Sequence, residues 1–253
     1  MVKQTAASSS IEDYVKVIYA YTEWQDKPIT STALATRLGV ANSSVSEMVR
    51  KLKDQGLVDH QPYSPIRLTG KGLKLALSMV RRHRLLESYL VRELDYSWDE
   101  VHDEAERLEH AVSEHFIERM SAKLGHPDRD PHGDPIPDAA GHITMVPSHR
   151  LDELDAGHGG RISRISDHDP ELLRHLQSLH IGLDTELTVI GRPRFGAGLQ
   201  VRVIAPATHD AGPQTLGDEV AASLWVASEG THEGCTVQDL TGGSLMNRHS
   251  NGA

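Results

Sequence analysis

Residues 30–58 read TSTALATRLGVANSSVSEMVRKLKDQGLV, and the order of signals in them decides the fold of the first third of the chain. The spacing predicts a short helix over 32–38, a turn through Gly39 and a longer helix over about 42–55. Short helix, glycine turn and longer helix make a helix-turn-helix, for which Ala35, Leu38, Val40, Val45, Val49 and Leu52 supply a small shared core. Asn42 or Ser43 is the expected cap of the second helix. Ser43, Ser44 and Glu47 then ride at its N-terminal end, the end that meets base edges in this motif, and Arg50, Lys51 and Lys53 follow where phosphates are within reach.

Outward from this hairpin, residues 11–24 place Ile11, Tyr14, Val15, Ile18 and Tyr19 at a helical period, and Gln25-Asp26-Lys27-Pro28 ends that first helix. Residues 1–9 read as disordered, with Ser8, Ser9 and Ser10 as a capping cluster. On the other side, short strands at 57–61 and 66–68 flank Pro62-Tyr63-Ser64-Pro65, which is a wing. Residues 1–84 hold 13 Lys and Arg against 7 Asp and Glu, although the whole chain carries −10. A basic first third joined to an acidic remainder suggests a nucleic-acid module attached to a part with room for cations.

Composition removes several alternatives. Aromatic residues are 4% of the chain, too few for a platform that stacks single-stranded bases. The one cysteine, Cys235, excludes an internal disulfide and a cysteine-rich zinc site. No apolar run reaches the length of a membrane span and MVKQTAASSS is not a secretory signal, so the expectation is a cytoplasmic protein with no membrane partner.

The second informative stretch is residues 82–110, RHRLLESYLVRELDYSWDEVHDEAERLEH. His83 and Glu87 stand at i, i+4, and His102, Glu106, Glu109 and His110 follow at i, i+4, i+7 and i+8, so in helices each set shares a face. Leu85, Leu86, Tyr89, Leu90 and Leu94 stripe the first of these helices and Val101, Ala105, Leu108, Ala111 and Val112 the second, expected over 99–118. Two such stripes pack together, which puts the imidazoles and carboxylates at a helix boundary rather than on a solvated rim, as in helical sites for divalent metals. A long helix over 73–89 links the wing to this face and leads towards a dimer interface. PDRDPHGDPIPD at 127–138 ends the helical part. Alternating strands at 160–166, 186–192 and 199–206 with a helix at 170–179 make a small β-rich domain of the barrel kind, and the Gly/Ser/Thr-rich residues 228–253 read as a flexible tail.

Together EDYVKVIY, the winged helix, VRRHRLLESYL, VHDEAERLEH and DPHGDPIP resemble the DtxR/MntR family of metal-dependent transcriptional repressors, closely over 11–138 and loosely over 150–227. The resemblance implies a mainly α fold with β. Its parts are a winged helix-turn-helix at 1–75, a helical metal-binding and dimerisation domain at 76–140, and an SH3-like (FeoA-type) domain at 150–227. It also implies a homodimer on a DNA operator, with no enzyme activity. Carried over by position, it gives a primary metal site of Asp13, Glu106, Glu109 and His110 and an ancillary site of His83, Glu87 and His102, with Asp169 contributed by the β-rich domain. His168 and Glu171 flank that last position.

The iron-responsive branch has Met at Asp13 and Cys at Glu106. Carboxylates at both, as in the manganese-responsive branch, suit Mn(II), whereas sulfur donors suit Fe(II) or Zn(II), which remain the alternative effectors. Lys16 stands where short manganese regulators place Glu, so their second site cannot be copied here, and Glu47 replaces a Gln of the iron branch, so the operator should differ. A di-metal carboxylate enzyme would pair Glu-x-x-His motifs, whereas this cluster has Glu106-x-x-x-His110 and no accompanying nucleophile. The expected mechanism starts from like charges: Asp13, Glu106 and Glu109 repel until a metal ion joins the first helix to the second metal-face helix.

Overall fold

The computed structural model describes residues 6–24, 28–61, 64–204 and 212–228. Expectations for residues 1–5, the break at 25–27, the wing tip at 62–63, Cys235 and the tail from 229 lie outside them. The chain divides into two compact units, the first comprising residues 1–86, 105–128 and 136–143 and the second 87–104, 129–135 and 144–253.

In the first unit, α1 (Ala6–Glu23), α2 (Ser31–Leu38) and α3 (Asn42–Asp54) precede a two-stranded wing of β1 (Val58–Asp59) and β2 (Arg67–Leu68). The wing strands are antiparallel, with Val58 opposite Leu68 and Asp59 opposite Arg67. Val15, Ile18, Ile29, Leu34, Val45, Leu52 and Ile66 are almost fully buried in one core. Each contributes roughly 1.5–3 kcal/mol by burial. Thr30 caps α2 by accepting from the Ala33 amide at 3.2 Å, and Gly39 ends it in the left-handed region at φ 65°, which a side chain would resist. That turn moves the cap of α3 one residue earlier than expected, to Ala41, which has no side-chain cap bond. It also leaves Val40 partly exposed rather than in the core. α1 starts before the serine cluster because Ala6 and Ala7 favour helix, so Ser8, Ser9 and Ser10 lie inside it.

The long α4 (Gly70–Leu94) leaves the wing and is followed by α5 (Val101–Leu108) and α6 (Glu114–Lys123). The single helix expected over 99–118 is therefore two. Ser113 accepts from the Phe116 amide at 3.2 Å and caps a new helix, and residues 109–113 form the turn between them. Glu109 and His110 thus sit on a turn that continues α5, not on one straight helical face.

The second unit carries a six-stranded antiparallel sheet built from β3 (His149–Arg150), β4 (Gly159–Ile165), β5 (Glu186–Gly191), β6 (Leu199–Ile204), β7 (Pro213–Leu216) and β8 (Leu224–Ala227), in the order β3-β8-β4-β5-β6-β7. α7 (Pro170–Ser178) lies between β4 and β5 in the chain, and α8 (Asp218–Ala222) precedes β8. Ile162, Leu187, Val189, Val201 and Val226 alternate inward along their strands and form a second core with Leu173 and Leu176 of α7. Residues 129–135 attach to β4: the Ile165 amide donates to the His132 carbonyl at 2.8 Å, and Arg164 Nε donates to Asp134 Oδ1 at 2.6 Å, both side chains buried. The Arg164 guanidinium also lies 4.1 Å from the Trp225 ring centroid.

Candidate metal centre and nucleic-acid interface

Among the described residues, two carboxylate–imidazole clusters each lie wholly within one unit. In the first, Asp13, Glu109 and His110 each bring a donor atom within 4.8 Å of the other two. Asp13 comes from α1, whose next helix pair is the helix-turn-helix, while Glu109 and His110 come from the turn after α5. His110 Nε2 is 2.7 Å from Asp13 Oδ1 and 3.5 Å from Glu109 Oε1. On the other side of the ring, Nδ1 is 2.8 Å from Glu12 Oε2. A carboxylate on Nδ1 fixes the tautomer that leaves Nε2 facing the acidic pair, the outer-shell arrangement of metal-bound histidines. Glu12 is not legible in the sequence as part of this cluster. Its only signal was a carboxylate beside Asp13, and neighbours at i, i+1 do not share a helix face.

Glu109 is fully buried and held from two sides, by His83 Nδ1 at 2.7 Å on Oε2 and by Lys16 Nζ at 2.6 Å on Oε1. Lys16 Nζ lies equally close, 2.6 Å, to Glu106 Oε1. Burial works against the Glu109 charge, but the His83 hydrogen bond and the Lys16 charge outweigh it and lower its pKa. Burial also opposes the Lys16 ammonium, and the charges of Glu109 and Glu106 reverse that effect and raise its pKa. For Asp13, burial prevails over His110 and raises the pKa. For His110, burial is overcome by the hydrogen bond to Glu12 and the charge of Asp13, and the pKa rises. The expected bare repulsion among Asp13, Glu106 and Glu109 is thus corrected: a lysine already stands between two of the three carboxylates. His83, expected in the ancillary set, bonds Glu109 of this cluster.

In the second cluster Glu87, His132 and Asp167 bring donor atoms within 4.8 Å of one another. His102 lies beside them, with Nδ1 3.2 Å from Glu87 Oε1 and 3.2 Å from Asp167 Oδ2. Burial would lower the His102 pKa, but the hydrogen bonds and charges of Asp167 and Glu87 push it up to about 11. Asp167 is driven well below the carboxylate range, its burial outweighed by His102. His132 is fully buried, and its Nε2 lies 2.7 Å from the Trp98 carbonyl, which can only accept. Nε2 therefore carries the proton, and Nδ1 keeps a buried lone pair with no hydrogen-bond partner among the described residues. A buried lone pair beside two carboxylates fits a bound cation. Trp98 stacks near the ring at 6.2 Å.

Asp169 is not brought to this cluster. It caps α7, with Oδ1 accepting from the Glu171 amide at 2.8 Å and the Leu172 amide at 3.4 Å, because the residue before Pro170 is extended and suited to that role. Asp167, two residues earlier, is the carboxylate of this segment that lies in the cluster. His132 is likewise hidden in the sequence, because DPHGDPIP reads as a Pro/Gly turn. Only the structure brings its imidazole to residues 35 and 45 positions away in the chain.

On α3, Ser43, Ser44, Glu47 and Arg50 are exposed and Lys51 is partly so. Lys53 instead turns back and donates to the His60 carbonyl at 2.9 Å, which ties α3 to the wing.

A winged helix whose leading helix brings a carboxylate to a metal-competent cluster points to the class: a DNA-binding protein that responds to a metal ion. The comparisons agree. Residues 7–66 match the family model "Iron dependent repressor, N-terminal DNA binding domain", 69–138 match "Iron dependent repressor, metal binding and dimerisation domain", and 149–228 match "FeoA domain". The chain belongs to the DtxR family of metal-dependent transcriptional repressors, which bind DNA and dimerise and are not enzymes. It is 30% identical over 230 residues to the iron-dependent repressor IdeR of Mycobacterium tuberculosis, a match spanning 85% of this chain and 95% of that protein. Among solved structures it is similar to a manganese-dependent transcriptional repressor in complex with manganese, at 47% identity and a TM-score of 0.81 over 87% of this chain and all of that one. The manganese regulator SloR is similar at 31% identity and a TM-score of 0.71, over 87% of this chain and 98% of that one. No helix among the described residues is long and apolar enough to cross a membrane.

Proposed function

We propose that the chain is a Mn(II)-activated repressor that acts as a homodimer on an operator in the cytoplasm and controls genes of manganese uptake. The observation that carries this reading is the donor set of the first cluster: two carboxylates and one imidazole, Asp13, Glu109 and His110, drawn from α1 and the turn after α5, with no sulfur among them. Oxygen-dominated sites with a single imidazole suit Mn(II), whereas thiolate and thioether suit Fe(II) or zinc. The similar structures described as manganese-dependent support the same choice. Glu106, expected as a further ligand, is paired with Lys16 and stands at the margin of the set.

A bound dication supplies positive charge to acidic residues of α1 and of the turn after α5. Asp13 and His110 then hold α1 on that turn, and α1 positions the helix-turn-helix, so the two recognition helices of a dimer keep the spacing of the operator half-sites. Glu12 keeps the His110 ring oriented with Nε2 towards Asp13. Glu87, His132 and Asp167, with His102 beside them, form a second site of the same donor type. Ser43, Ser44 and Glu47 are assigned to base edges, and Arg50 and Lys51 to phosphates. The division into a DNA module at 1–75, a metal-binding and dimerisation module at 76–140 and an SH3-like module at 150–227 belongs to the same proposal.

An iron- or zinc-responsive regulator of the same family is the second reading, favoured by the likeness to the iron-dependent repressor IdeR. The deciding experiment titrates binding to a metal-transporter promoter separately with Mn(II), anaerobic Fe(II) and Zn(II). Activation by Mn(II) at concentrations where Fe(II) and Zn(II) leave the DNA free is the expected result. Equal or stronger activation by either of the others overturns the manganese assignment.

A further inference from the structure

The first cluster already contains a cation. Lys16 lies one helical turn beyond Asp13 on α1, is 9% exposed, and places Nζ 2.6 Å from Glu106 Oε1 and 2.6 Å from Glu109 Oε1. Glu109 Oε1 is also the oxygen that lies 3.5 Å from His110 Nε2, so the oxygen turned towards the Asp13–His110 side is the one the ammonium holds. The other oxygen of Glu109 is engaged by His83 at 2.7 Å. A carboxylate oxygen has two lone-pair directions, so Glu109 can serve an ammonium and a metal ion together only with the two cations close to one another.

We infer that Lys16 is a resident counter-cation of this metal site: it occupies the Glu106–Glu109 side, ties α1 to α5 when no metal is bound, and limits the cluster to one divalent ion held more weakly than its carboxylates alone would hold it. Lysine suits the role. Its ammonium is a compact charge with three donors on a flexible stem, able to bridge two carboxylates and to shift when one is drawn towards another cation. Two acidic side chains facing one another without it would attract a second dication.

This inference rests on the proposed metal reading, and the test separates the two. Mn(II) alone is titrated into full-length protein, and binding is followed by the electron paramagnetic resonance of the free ion. Wild type is compared with Lys16→Met, which keeps the stem without the charge, and with Lys16→Glu, which replaces the cation by a further carboxylate. Circular dichroism checks that each variant is folded. Lys16→Met is expected to bind Mn(II) at least tenfold more tightly at this cluster. Lys16→Glu is expected to raise the number of bound ions by one per chain, with the spectrum of a spin-coupled pair. Folded variants with the affinity and count of wild type, or weaker binding by Lys16→Met, overturn the role of Lys16. Should one variant fail to fold, the other decides by the same criterion. A wild-type chain that takes up no Mn(II) overturns the metal reading itself.

Discussion

Gly133→Ala tests whether the 129–135 segment builds the second cluster. Gly133 has φ 91°, and a Cβ there would lie 2.1 Å from the Ser163 carbonyl oxygen, 2.9 Å from Arg164 Cα and 2.9 Å from Leu183 Cδ2. The leucine methyl can move, but the other two atoms are backbone of β4 and can yield only if the segment lifts from the strand. Left-handed backbone costs a non-glycine residue roughly 1–2 kcal/mol, and overpacking of this kind typically adds about 1–3 kcal/mol. The expected loss is roughly 2–5 kcal/mol, or about 5–15 °C in the midpoint of unfolding for a unit of this size. Trp98 and Trp225 both lie in this unit and report its transition by fluorescence. His132 is the adjacent residue, so its Nδ1 should leave Glu87 and Asp167, and Mn(II) bound by this cluster should be lost while the first cluster keeps its ion. A variant with an unchanged midpoint and an unchanged ion count would refute the argument, because no backbone shift could then have occurred.

The other expectations concern coupling and contact. Asp13→Ala removes the one ligand of the Asp13, Glu109 and His110 set that lies on α1; the folded dimer should no longer tighten on operator DNA when Mn(II) is added, as read by fluorescence anisotropy, and undiminished activation would sink the coupling. Glu12→Gln keeps the size of the side chain but takes away the carboxylate on His110 Nδ1, and Mn(II) affinity should fall about 10–100-fold, the usual cost of an outer-shell partner; equal affinity by calorimetry would show that Glu12 does not orient the ring. Arg50→Ala should weaken binding to operator and random duplexes alike and reduce the salt slope by about 1; a loss confined to one base position would assign Arg50 to base reading instead.

The winged helix was legible in the sequence because local signals specify it: apolar spacing in residues 32–55, Gly39 at a left-handed turn, and a basic excess in the first 84 residues. The i, i+4 pairs His83–Glu87 and His102–Glu106 were legible as helical spacing in α4 and α5, but each pair divides: His83 bonds Glu109 and Glu106 bonds Lys16, whereas Glu87 and His102 lie with Asp167. What failed depended on the ends of helices and on distant pairing. Helical spacing alone did not show that α5 stops at Leu108 and that Ser113 starts another helix. Asp169 and Asp167 are separated by two positions, and which one reaches a cluster is decided by the extended residue ahead of Pro170, whose carboxylate is used for capping. β3 and β8 were missed because a two-residue strand has no period, and its partner stands at the far end of the domain, with His149 paired to Val226.

The two clusters share donor types but differ in what they can transmit. The proposed ligands of the first come from α1 and from the turn after α5, so occupancy would bear directly on the helix that leads into the helix-turn-helix. The proposed ligands of the second come from α4, the 129–135 segment and the residues after β4, none of which belongs to the winged helix. Metal at the first cluster can favour one placement of α1, and DNA that selects that placement must then raise metal affinity by the same factor. Metal at the second has no such direct partner, and its effect on DNA has to pass through the stability of its own unit. Lys16 sharpens the distinction, since it lies only in the first cluster and lends α1 part of the order that a metal ion would otherwise have to supply. The energy left for the ion to contribute is correspondingly smaller, which makes the metal response of this chain a difference between two cations and not between a cation and none.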